Sequence, residues 1–110
     1  MGKEKGDFSM YIPPGKWKFF ANGRQGDLEM FFDGSNHFTG SVLGHSIVGI
    51  WERSSGKISF TTTDGAAQVY KGSLVFPQSD GPLNAIYTLA GTYDDLAGTY
   101  GWFAQRGEVP

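Results

Sequence analysis

The sequence predicts an all-β domain, an eight-stranded antiparallel up-and-down β-barrel, and three observations carry that prediction. From Gly15 to Arg106 apolar and polar residues alternate with a period of two, the pattern of a strand with one face on a core. Tight Gly-bearing turns interrupt the alternation, and strands joined only by such turns lie beside their chain neighbours and tend to close. No stretch carries a helical pattern. A β-sandwich would use some of the same strands, but it needs crossovers for which several of these turns are too short.

The strands follow in order. The first places Trp17, Phe19 and Ala21 on one face and turns at residues 22–26. Leu28, Met30 and Phe32 share the next face, opposite Asp27, Glu29 and Phe31, before the turn Asp33-Gly34-Ser35-Asn36. Phe38, Gly40 and Val42 alternate with Thr39, Ser41 and Leu43; beyond Gly44-His45, Ile47, Gly49 and Trp51 alternate with Val48, Ile50 and Glu52. After Arg53-Ser54-Ser55-Gly56 come Ile58, Phe60 and Thr62, then Asp64-Gly65 and a sixth strand with Tyr70, Gly72, Leu74 and Phe76 inward. Pro77 and Gly81-Pro82 bracket the longest expected loop. Leu83 to Tyr93 form the seventh strand, with Tyr87, Leu89, Gly91 and Tyr93 together, and Tyr100 to Arg106 the eighth. Residues 1–14 are read as an N-terminal arm and 15–110 as a single barrel domain.

Composition narrows the function classes. A chain of 110 residues buries roughly two-thirds of its unfolded surface and needs no covalent staple. It has no cysteine, so disulfides and thiolate metal sites are excluded. A net charge of −2 offers no field for phosphate backbones or anionic lipid. The expectation is therefore no nucleic-acid partner and no membrane partner. No apolar run has the length of a signal core or a membrane span, which favours a soluble, cytoplasmic chain.

Glycine recurs inside the strands at Gly40, Gly49, Gly72, Gly91 and Gly101, where small barrels bend sharply or seat a bulky neighbour. Phe20, Phe31, Leu43, Val48, Ile50, Val69 and Val75 fall opposite the core set. A half-exposed strand should be polar there; the two readings are cover for the arm or isolated exposure, and a subunit interface, which makes a homo-oligomer the expected state. Eight strands enclose space for side chains or for one small ligand. Trp17, Phe19, Phe38, Trp51, Phe60, Tyr70, Tyr93 and Phe103 are the candidate barrel lining for a small apolar or aromatic ligand. A packed ring core with no ligand is the alternative, leaving a self-associating interaction or scaffold barrel.

Gly15-Lys16-Trp17 on the first strand and Arg106 on the last resemble the calycin superfamily of lipocalins, fatty-acid-binding proteins and avidins. The resemblance implies that Trp17 closes one barrel end and that Arg106 lies across it as a cation–π latch. The Asp33-Gly34 to Phe38-Thr39-Gly40 stretch resembles an avidin hairpin. Ile47-x-Gly49-x-Trp51, Lys57-Ile58-Ser59-Phe60, Gln68-Val69-Tyr70-x-Gly72-x-Leu74, Leu89-Ala90-Gly91 and Tyr100-Gly101-Trp102-Phe103-Ala104-Gln105 resemble small bacterial calycin-like barrels. That likeness implies a fold and no activity.

His37 and His45 are the two histidines. Asp33, Ser35 and Ser46 stand near them in the chain, but a nucleophile, base and orienter must converge, and both histidines read as ordinary turn or rim residues. Metal and calcium sites need more ligands than these stretches supply. The expectation is no enzyme, no catalytic residue, no cofactor and no metal.

Overall fold

The computed structural model describes residues 12–79 and 85–108. Its strands are β1 (Gly15–Ala21), β2 (Arg24–Phe32), β3 (His37–Val42), β4 (His45–Glu52), β5 (Lys57–Thr62), β6 (Val69–Ser79), β7 (Ala85–Asp94) and β8 (Thr99–Glu108). They pair in chain order, all antiparallel, and β8 returns to β1 through the pairs Lys18 with Gln105 and Ala21 with Trp102. The result is the closed eight-stranded up-and-down barrel that the alternation and short turns require.

Connections alternate between the two ends. Asn22-Gly23 and Leu43-Gly44 are two-residue hairpin loops, closed by Ala21 with Arg24 and Val42 with His45. Both loops hold two positive φ angles, 48° and 79° in the first, the primed-turn geometry whose twist matches that of paired strands. These loops share one end with residues 63–68 and 95–98. The opposite end carries residues 33–36, residues 53–56 and the entering segment 12–14, and is called the arm end below.

Three sequence expectations change. The first turn is shorter than 22–26, because Arg24, Gln25 and Gly26 already pair with β1. Leu43 sits in a turn, not on a strand face, and folds half-buried over Gly26, where an added Cβ would lie almost on its side chain. Pro77 lies within β6, not at the start of a loop. The register shifts between Val75 and Gln78, and such an irregularity takes in a residue with no N–H to donate. Gly81-Pro82 and Leu83 fall outside the described residues.

The core runs the length of the barrel. Phe60 stacks on Tyr70 with centroids 4.6 Å apart, Tyr70 on Tyr93 at 4.7 Å, and Phe19 on Trp102 at 5.6 Å. Leu28, Met30, Val42, Ile47 and Leu89 fill between the rings, all within 2% of full burial. Trp102 needs the inner surface of β6 and β7 bare. Gly72 pairs with Gly91 and Gly91 with Trp102, and the indole Nε1 donates to the carbonyls of Thr92 at 3.0 Å and Lys71 at 3.2 Å.

Candidate functional site

Of the candidate lining residues, Trp17, Phe19, Phe38, Trp51, Phe60, Tyr70 and Tyr93 all face the interior, none more than 7% exposed. Phe103 does not: it is 41% exposed, and its neighbour Trp102, 4% exposed, holds the inward place. The reason is the pleat. Phe103 and Arg106 are three positions apart, so one strand cannot aim both at the same face. The pairing of Ala21 with Trp102 sends the even-numbered residues of β8 inward. Phe103 instead stacks outside on Phe20, centroids 4.6 Å apart and planes 17° from parallel.

Trp17 and Arg106 each bond to one short segment at the arm end. The indole Nε1 of Trp17 donates to the carbonyl of Pro13 at 3.0 Å. Arg106 donates through Nη1 to the carbonyl of Pro14 and lies against Gly15, whose φ is +99°. A Cβ on Gly15 would stand 2.8 Å from that nitrogen. Both residues thus hold residues 13–15 against the barrel, and Ile12 and Pro13 are buried with the core. The last residues of the arm therefore cap this end; residues 1–11 lie outside the described residues.

A cleft of about 300 Å³ opens beside this cap, lined by Ile12, Pro14, Phe32, Gly34, Ser35, Asn36, Trp51 and Arg53. Its chemistry follows from the alternation. Asn36 continues the inward row of Phe38, and Arg53 that of Trp51, each one step past the strand end, so both reach over the mouth. The backbone joins the two sides, since the N–H of Trp51 donates to the carbonyl of Asn36 at 2.8 Å. Ile12, Phe32 and Trp51 supply apolar walls, with Ser35, Asn36 and Arg53 on the rim.

The outer surface holds a second feature. Phe31, Thr39, Val48, Thr61 and Val69 are successive register partners from β2 to β6 and form one outward row without a charged residue. Ile50 stands in the next row, between His37 and Ser59. Phe31 is 55% exposed and Val48 45%.

The polar clusters are turn chemistry. Asp33 Oδ1 accepts from the Ser35 N–H at 3.0 Å and Oγ at 2.6 Å, and these bonds hold its carboxyl below the usual range. The Ser35 hydroxyl is thus directed at a carboxylate, while His37 Nδ1 lies 3.3 Å from the same Oγ. This is an Asx turn, not the order in which a base takes a serine proton. His45 Nδ1 lies 2.9 Å from Asp64 Oδ2 and lowers the pKa of that carboxyl, tying two hairpin loops together. Among the described residues no three His, Asp or Glu side chains gather where a metal ion could sit. In the core, burial, then the neighbouring Tyr93, pushes the Tyr70 hydroxyl up to about 12; it donates to Gln68 Oε1 at 3.0 Å.

Asn36, Arg53 and Ile12 were outside the sequence-derived site. The inward parity of Asn36 and Arg53 was readable; the meeting of two loops and the arm over one mouth was not. The chain matches no known protein family, no curated protein and no solved structure.

Proposed function

We propose that this barrel is a non-catalytic, self-associating interaction module that buries the outer face of β2 to β6 against a second copy of the chain. One observation carries the reading: rings fill the interior, while Phe31, Val48, Ile50 and Val69 stand exposed on a single face. That row crosses five strands, about 19 Å along the sheet at the usual interstrand spacing. A contiguous apolar band of this kind suits the core of a homodimer interface better than open water. A ligand within the barrel would require the stacked rings to part, which weighs against the interior-ligand alternative. The convergence of Gly15, Trp17 and Arg106 at one end supports a distant calycin-like relationship.

Native mass spectrometry at about 10 μM, where a micromolar Kd holds a large share of chains together, tests the proposal. A dimer or larger assembly is expected, and Val48→Glu should dissociate it while the circular dichroism of the barrel persists. A strictly monomeric wild-type mass overturns it, as does an assembly indifferent to Val48→Glu.

A further inference from the structure

We infer that the cleft at the arm end is a binding site for a small monocarboxylate with an aromatic or branched apolar body. This inference is independent of self-association, which uses the outer face of the sheet.

The argument starts from the walls. Ile12 and Trp51 are almost fully buried, yet both border the cleft together with Phe32 and Pro14. A body entering there would meet an aliphatic side chain, a proline and two rings. Its volume of about 300 Å³ lies at the lower limit of small-molecule pockets, which are mostly apolar with a few placed polar groups.

The rim supplies the sign of the charge. Among the described residues that line the cleft, Arg53 is the one ionisable side chain. Among the described residues it has neither an ion pair nor a hydrogen bond. Glu52, its neighbour in the chain, accepts from the Ser55 hydroxyl at 2.8 Å, and Asp33 on the facing loop accepts through Oδ1 from Ser35. The side-chain amide of Asn36 is likewise unengaged among the described residues, while its backbone is fixed by Trp51. A planar guanidinium fork with an amide donor beside it matches a carboxylate, which accepts two parallel N–H bonds from arginine and more from a neighbour. A phosphate monoester would bring nearly a second negative charge to a site whose described residues offer one cation.

The geometry also separates this site from the closing contact on the other side of the same end. Arg106 is engaged with Pro14 and Gly15, so it holds the cap in place, whereas Arg53 faces the opening. The two arginines have different duties at one barrel end.

The test uses the full chain labelled with 15N, titrated with 3-phenylpropionate and, separately, with 3-phenylpropanamide, its uncharged counterpart. Amide resonances of Ser35, Asn36, Trp51 and Arg53, and the Trp51 indole, should shift with the acid. The acid should bind about tenfold more tightly than the amide, as expected for a hydrogen bond to a charged group. Arg53→Gln should remove that preference, weakening the acid far more than the amide; Arg53→Lys should keep part of it. Equal affinities for acid and amide overturn the inference. So do a preference that survives Arg53→Gln, shifts centred on Phe20 and Phe103, or no shift with either probe at millimolar concentration.

Discussion

A methyl group on Gly72 would stand 2.7 Å from Cζ2 of Trp102, so the largest ring of the last strand is seated on a residue with no side chain. Gly91 extends the same bare surface, and there an added Cβ would overlap the carbonyl oxygen of Lys71. The glycines and the indole form one joint. Its polar side is closed by the bonds from Nε1 to the Thr92 and Lys71 carbonyls.

Gly72→Ala should therefore cost about 1–3 kcal/mol, the range for overpacking a filled core. Gly91→Ala should cost more, because its Cβ would stand closer to the Lys71 carbonyl oxygen than the 2.6 Å that would separate one on Gly72 from the Ala90 carbonyl oxygen. Urea unfolding at constant slope measures both. Losses below about 0.5 kcal/mol, the scatter of neutral surface changes, would mean that the sheet relaxes freely at this joint.

At the arm end, Gly15→Ala combines a left-handed φ with a collision against Arg106, and a loss of about 1–3 kcal/mol is expected. Arg106→Met removes the guanidinium and with it the collision. The double variant should lose less than the sum of the single ones, since residues in contact couple. Strict additivity in a double-mutant cycle would contradict the contact.

The pH dependence of Tyr70 has a definite sign. Burial and Tyr93 raise the hydroxyl's pKa to about 12 in the fold, against about 10 in an unfolded chain. Its contribution is complete below pH 10 and is lost as the pH rises from 10 through 12, because the unfolded chain releases this proton first. Tyr70→Phe should flatten the decline in stability over that interval. Ultraviolet titration should show a phenol ionising near pH 12 that is absent from Tyr70→Phe.

Adjacent residues 102 and 103 offer a direct test of facing. Trp102→Ala should cost about 3–5 kcal/mol, as for a buried large aromatic residue. Phe103→Ala should cost about 0.5–1.5 kcal/mol, the contribution of its stack on Phe20. Comparable losses would mean that both rings belong to the core.

Residue by residue, much of the barrel was legible. The alternation around Trp17, Phe38, Phe60 and Tyr70 identifies their inward faces because a pleat has only two sides. On β8 the same rule left a choice, since Trp102 and Phe103 are both aromatic and local pattern alone favours neither. Pro77 pointed to a loop because the irregularity that admits it depends on how β7 pairs with β6.

The sequence by itself determined the strand order, the approximate places of most turns and an apolar outer row, since these follow from local period and composition. Only the tertiary structure decided that Trp102 displaces Phe103, that Ile12 and Pro13 cap the arm end, and that Asn36, Trp51 and Arg53 meet around a cleft. Those outcomes depend on closure between β1 and β8 and on loops far apart in the chain, where register and close packing outweigh any local preference.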